Sequence, residues 1–235
     1  MIKTKVITVC HAPCRMVHSK FAIRKRYVEE QFLPRLNSLG FDAEIFPAVT
    51  GMDAELKDGV AYYKDLAIPL GRQSSYIYVF LSHLLMWKRC AQNGGTLVVC
   101  EDDARLPDSS VDVVKQAIRD YEEDEDRGDL LYLQSELPYS KEAIREYKPK
   151  NLEPAHGSLL RVRKVTDTAG AAGYALRPKA AAALVKRAEE CEQNSPDAYF
   201  HLAHEDGRIG IVVPKDFRNM FMLHEVWEPY NHEPS

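Results

Sequence analysis

The chain alternates short apolar runs with longer stretches in which apolar residues return every three or four positions. Residues 6–10, Val-Ile-Thr-Val-Cys, are too few for a helix and rich in β-branched side chains, so they predict a buried first strand. Phe21, Val28, Phe32, Leu36 and Leu39 then recur at helical spacing. Pro34 should end or kink that helix near Leu33, because proline lacks an amide donor and crowds the preceding turn. Gly40 closes the helix, and residues 41–49 predict a second strand. Residues 51–74 carry no clean period and predict loop with short helical pieces. Tyr76, Phe80, Leu84, Trp87 and Ala91 mark a second amphipathic helix, stopped by Asn93-Gly94-Gly95. Residues 96–100, Thr-Leu-Val-Val-Cys, form a continuous apolar run, the pattern of a central parallel strand covered on both faces.

Val111, Val114, Ile118 and Tyr121 fit a third helix that runs into the acidic stretch 122–129, and residues 129–133 predict another buried strand. Residues 135–158 are polar and contain proline, which predicts a long excursion. Strands follow at 159–165 and 173–176, around the small-residue stretch 168–172. Pro178 opens a helix over 179–192, since proline suits the first helical position. A helix at 196–204, a strand at 209–213 and an irregular aromatic tail from Phe217 complete the chain. Strands alternating with helices predict an α/β fold, a mainly parallel central sheet flanked by helices.

Composition narrows the function classes. Hydrophobic residues make up 45% and charged residues 28% of 235, which is globular and not disordered. The 31 basic and 35 acidic residues leave a net charge of −4, which excludes a generic basic nucleic-acid coat. Five cysteines, an odd and scattered number, suit reduced thiols. Cys10 and Cys14 lack the second pair that a structural zinc site needs. No uncharged apolar run approaches the roughly 20 residues of a membrane span, so a soluble, cytoplasmic protein is expected.

The candidate chemistry sits at one strand end. Open α/β sheets bind ligands beyond the carboxyl ends of their strands. Glu101-Asp102-Asp103 stands there, directly after the most apolar run. Three adjacent acids repel one another unless a cation or solvent screens them, and a hard divalent ion completed by phosphate oxygens and water is the usual resolution. The plainer alternative is a set of acids near a helix N-terminus. Acids 122–126 follow a helix in hydrophilic sequence and read as solvated surface. His201, His204 and Glu205 occur in an order that no zinc-protease helix uses. The serine-hydrolase elbow, the P-loop and the dinucleotide fingerprint are all missing from the sequence. Gly170-Ala171-Ala172-Gly173 suits either a ligand approaching the backbone or tight strand packing. Arg15, Lys20, Arg24, Lys25 and Arg26 suit either a diphosphate partner or a solvated helix face.

A series of blocks in this order resembles glycosyltransferase family 25, which includes bacterial lipooligosaccharide galactosyltransferases and procollagen galactosyltransferases. The blocks are Val6-Ile7-Thr8-Val9 with Arg24 to Arg26 and Gln31; Phe46-Pro47-Ala48-Val49-Thr50-Gly51; Leu81-Ser82-His83 with Trp87-Lys88; Val98-Val99-Cys100-Glu101-Asp102-Asp103-Ala104; Gly173-Tyr174-Ala175-Leu176 with Lys179-Ala180; and Pro196-Asp197-Ala198-Tyr199. Residues 75–79 and the long loop at 10–19 depart from the family pattern, which leaves both sugar partners open.

The resemblance implies a GT-A-like domain over residues 1–216, with a tail over 217–235 packing on or near the site. It implies metal-dependent, inverting transfer of a hexose from a nucleotide diphosphate sugar, UDP-galactose or UDP-glucose by expectation, to a hydroxyl acceptor. Mn²⁺ or Mg²⁺ would neutralise the departing diphosphate. Asp103 and Glu101 are the expected metal ligands of a DXD-like motif, and His224 is a candidate third ligand. Val9, His11, Arg24, Arg26, Ser82, His83, Glu101 and Asp102 are the expected donor-binding residues. Asp197 is the expected catalytic base beside Asp103, or else a helix N-terminal acid. A saccharide is the expected acceptor; a protein hydroxyl or a hydroxylated DNA base is the alternative. Nucleic acid is not indicated by net charge, although Arg161, Arg163 and Lys164 offer a local basic groove. The rival readings are a Mg²⁺-dependent phosphohydrolase and an inactive module that binds nucleotide sugars or glycans, for which Trp227 and Tyr230 would supply stacking faces.

Overall fold

The computed structural model describes residues 2–8, 19–50, 54–57, 60–64, 66–69, 77–124, 129–134, 152–163, 170–190, 195–216 and 222–223. In chain order the elements are β1 (Ile2–Thr8), α1 (Ser19–Tyr27), α2 (Leu33–Ser38), β2 (Phe41–Pro47), β3 (Glu55–Lys57), β4 (Val60–Tyr63), β5 (Leu66–Pro69) and α3 (Ile77–Asn93). They continue with β6 (Leu97–Glu101), β7 (Ala104–Arg105), α4 (Val111–Glu123), β8 (Asp129–Tyr132), β9 (Leu152–Pro154) and β10 (Leu159–Val162). The last are β11 (Gly173–Leu176), α5 (Pro178–Glu190), α6 (Pro196–Glu205), β12 (Gly210–Pro214) and β13 (Met222–Leu223).

Eight strands form one sheet in the order β2-β1-β6-β11-β8-β12-β10-β9. Six of them point one way, while β10 and β11 run against the rest. The period of two along each strand explains the layering. Ile7, Val99, Tyr132, Tyr174 and Ile211 face one side and pack with Phe80, Leu84 and Trp87 of α3, Leu184 of α5 and Phe200 of α6. Val6, Val98, Leu131, Ala175 and Val212 face the other, against Phe32, Leu36, and Val114, Ile118 and Tyr121 of α4. A helical layer therefore covers each face, which is why β6 and β8 are buried along nearly their whole length.

The helices form and stop for local reasons. Pro34 neither ends the first helix nor breaks it. Residues Val28–Phe32 take a wider π turn, in which Leu33 N–H donates to Val28 C=O, five residues back, and Pro34 falls in the first turn of α2, where a missing amide is tolerated. α3 ends where Gly94 adopts φ +74° and donates its N–H to Cys90 C=O, a left-handed cap that residues with a Cβ rarely supply. Pro178 and Pro196 open α5 and α6 at the positions where proline suits a helix best.

Three further expectations are corrected. Residues 51–74 are not loop with helical pieces: β3, β4 and β5 form a separate antiparallel sheet. Its residues 55–57 are all exposed, and among the described side chains Ala61 and Ile68 are buried while Tyr63 packs against the core, so no regular alternating signal marks it. The excursion between β8 and β10 contains β9, which pairs with β10. The tail is not irregular throughout, since β13 pairs antiparallel with β7 and carries the chain back beside the acidic turn. Among the described residues no helix is long and apolar enough to cross a membrane.

Candidate active site at the carboxyl edge of the sheet

Parallel β1 and β6 end together, with Ile7 opposite Glu101, and antiparallel β11 begins beside them, with Gly173 opposite Cys100. Glu101 N–H donates to Ala172 C=O at 3.1 Å, which ties the end of β6 to the approach of β11. The alternation of the strand then sends the acids to opposite sides. Val99 and Glu101 face α3, whereas Cys100 and Asp102 face α1, and Asp103 occupies the turn that leads into β7.

On the α3 side, Glu101 Oε1 lies 3.0 Å from His83 Nε2. His83 is fully buried, and its Nδ1 lies 2.8 Å from the Tyr174 hydroxyl. That hydroxyl also accepts a hydrogen bond from Trp87 Nε1 at 3.0 Å. His83 and Trp87 are four residues apart on α3, so one helix face presents both. On the α1 side, Arg24 donates to Asp102 Oδ1 at 2.9 Å and sits 3.6 Å from Asp103 Oδ2. Tyr27, at the end of α1, donates to Ala104 C=O at 2.9 Å and so fixes the helix against the turn.

Asp103 is the unusual member. Its Oδ1 is buried and makes no hydrogen bond to any described residue. Burial first, then the charge of Glu101, pushes its carboxyl up to about 7, and nearby Arg24 offsets only part of that. Two neighbouring acids, one of them raised by the charge of the other and holding a buried oxygen without a hydrogen bond to a described residue, form a donor set that suits a hard cation. Among the described residues, however, no group of three or more His, Cys, Asp or Glu side chains is arranged to hold a metal ion.

Asp197 lies in the first turn of α6. Its Oδ2 accepts from Gly170 N–H at 3.0 Å and its Oδ1 from Ala198 N–H at 3.1 Å. Burial raises its carboxyl above the ordinary range and those backbone donors pull it back, while the charge of Glu101 adds to the rise. Gly170, at φ +91°, sits so close to Gln134 that a Cβ would meet the amide at 2.8 Å. Ala171 and Ala172 are buried, so tight packing accounts for this small-residue stretch.

The other expected residues divide. Ser82 is buried; its hydroxyl donates to Tyr78 C=O, one turn back in α3, at 2.8 Å and accepts from Val49 N–H, just beyond β2, at 2.9 Å. Arg26 points outward and pairs with Glu30 at 2.9 Å, on the solvated side of α1. Arg161 and Arg163 lie toward the opposite edge of the sheet, paired with Asp129 and Glu153. Val9, His11, Arg15, Lys164, His224, Trp227 and Tyr230 lie outside the described residues. Sequence reading missed Tyr174 and Trp87 as site residues; the Gly-Tyr block and the i, i+4 spacing of His83 and Trp87 were the available signals.

A glycosyltransferase family model, Glycosyltransferase family 25 (LPS biosynthesis protein), matches residues 20–200. The chain belongs to glycosyltransferase family 25. That match covers most of the chain and includes Arg24, His83, the acidic turn, Tyr174 and Asp197. The protein is therefore a transferase of the glycosyltransferase class. No individually curated protein matches it closely enough to add a named relative. For a family 25 enzyme, the carboxyl edge is the place where the fold and the acids coincide.

Proposed function

We propose that this family 25 member transfers a hexose from a nucleotide diphosphate sugar, UDP-galactose or UDP-glucose, to a saccharide hydroxyl with inversion at the anomeric carbon. Supporting this reading above all is Asp103, a half-buried acid at the carboxyl end of the central strand whose Oδ1 is buried without a hydrogen bond to a described residue. Asp103 and Glu101 would hold Mn²⁺ or Mg²⁺, with the remaining positions filled by diphosphate oxygens and water. The ion, when bound, would supply positive charge to the leaving nucleoside diphosphate.

The chain's own residues supply the rest. Arg24, fixed by Asp102, adds a second positive group at the same turn, and its planar fork suits phosphate oxygens. Inversion requires the acceptor hydroxyl to attack from the face opposite the leaving group, with a carboxylate taking its proton. Asp197 is the carboxylate we assign to that step. Burial makes it a stronger base than an exposed aspartate. A cytoplasmic enzyme suits both a nucleotide-sugar donor and the free buried thiols of Cys90 and Cys100.

The test is turnover on a panel of UDP-sugars with saccharide acceptors, set against a generic phosphoester. Release of UDP that requires Mn²⁺ or Mg²⁺ and an acceptor supports transfer. Phosphoester hydrolysis without UDP release would overturn the reading.

A further inference from the structure

We propose that Trp87, Tyr174 and His83 form a one-way hydrogen-bond relay that fixes the orientation of Glu101, with His83 as its positioning residue. The direction follows from counting protons. An indole Nε1 can only donate, so the Tyr174 hydroxyl accepts at its 3.0 Å contact with Trp87. The hydroxyl's own proton then needs an acceptor, because Tyr174 is fully buried and an unused buried donor is costly. His83 Nδ1, at 2.8 Å, is the acceptor within reach. Nδ1 therefore carries no proton, Nε2 carries one, and Nε2–H donates to Glu101 Oε1 at 3.0 Å. The opposite arrangement, with Nδ1–H pointing at the hydroxyl, would leave the tyrosine proton without a partner.

The relay is rigid as well as directed. Trp87, Tyr174 and His83 are each 0% exposed, and Phe200 packs against both Tyr174 and Trp87 at ring distances of 5.0 and 5.7 Å. Glu101 alone reaches the sheet edge, its side chain 26% exposed. With Oε1 held by His83, Oε2 is the oxygen that Glu101 presents outward. A histidine that holds a ligand carboxylate in this way sets its rotamer before anything binds. The relay also explains why a Ser-His, a Glu-Asp-Asp and a Gly-Tyr block occur together: His83, Glu101 and Tyr174 are consecutive links. The consequence for catalysis rests on the reading that Glu101 helps hold the donor's cation.

The test uses the full chain labelled with ¹⁵N-histidine and free of metal, with the His83 signal assigned by its loss in His83→Gln. The imidazole nitrogens should show the Nε2–H tautomer. Tyr174→Phe, which keeps the ring and removes the hydroxyl, should shift His83 toward a mixture of tautomers. It should also weaken Mn²⁺ binding by about tenfold, the scale expected for a partner that orients a ligand. His83→Gln, whose amide nitrogen reaches the place of Nε2, should keep Mn²⁺ affinity near the parent value, whereas His83→Asn should not. An Nδ1–H tautomer in the parent, or a Tyr174→Phe chain with unchanged tautomer and affinity, would overturn the relay. If Asp103→Asn binds Mn²⁺ as the parent does while the tautomer is as predicted, the metal reading fails and the relay stands.

Discussion

Two aspartates at opposite edges of the same sheet, Asp129 buried and Asp103 half-buried with one buried oxygen, show how differently one residue type is treated. Asp129 opens β8 at the amino edge, and Arg161 meets both of its oxygens, at 3.0 and 2.7 Å. Asp103 sits at the carboxyl edge with one oxygen facing Arg24 at 3.6 Å and the other with no hydrogen bond to a described residue. A buried charge whose hydrogen bonds are satisfied is part of the scaffold. A carboxylate left short by its own fold costs the folded protein electrostatic free energy, and on the proposed reading Asp103 keeps that oxygen for a cation. Family 25 membership gives that distinction a chemical meaning, since a transferase must meet the charge of a departing nucleotide.

The comparison can be broken at several strengths. The largest expected effect is on rate. Asp197→Asn should lower kcat by about 10²- to 10⁴-fold, the range for loss of a positioned base, with KM for the donor little changed. A change confined to stability would instead assign Asp197 to clamping Gly170. Next comes the folding balance between the two acids. Asp129→Asn should cost about 2 kcal/mol, because it removes a charge-assisted pair and leaves Arg161 half-satisfied at a partly exposed site. Asp103→Asn at pH 8 should leave the thermal midpoint unchanged or raise it. Denaturant melts of both variants decide this, and equal destabilisation would erase the contrast.

A smaller effect is pH dependence. The carboxyl of Asp103 is pushed up to about 7 in the folded chain, against an ordinary value of 3.8 when unfolded. Between those values the folded state binds the extra proton, so this group's contribution to stability is full below about 4 and is lost as pH rises through about 7. Asp197, also raised, acts in the same direction. The metal-free chain should therefore melt lower at pH 8 than at pH 5.5 by more than Asp103→Asn does, as calorimetry at the two pH values would measure. The smallest expected change is for Ser82→Ala. It should cost about 1 kcal/mol from the lost tie to residue 49 and leave turnover intact, in contrast to a donor-binding role.

Much of the scaffold was legible because period two and period 3.6 are direct images of burial. Val98, Val99 and Cys100 announce a doubly covered strand, and the helix over 77–93 shows its apolar stripe. Strand direction is not written in that signal: β11 is as apolar as its neighbours yet runs against β6. The β3–β5 sheet escaped because its first strand is wholly exposed and pairs only with its own kind. Within the site, the acidic turn was legible from its place after β6. The split of Glu101 toward His83 and Asp102 toward Arg24 depended on which helix covers which face, a property of tertiary packing. Tyr174 stood in a strand and a sequence block without a role of its own, because only the fold brings its hydroxyl to His83.

The most direct measurement is calorimetric binding of UDP to the parent chain and to Asp103→Asn, each with and without Mn²⁺. If Asp103 keeps its unused oxygen for a cation, Mn²⁺ strengthens UDP binding in the parent and has no effect in the variant, while the variant melts no lower than the parent. Equal enhancement by Mn²⁺ in the two chains, or none in either, would contradict that assignment.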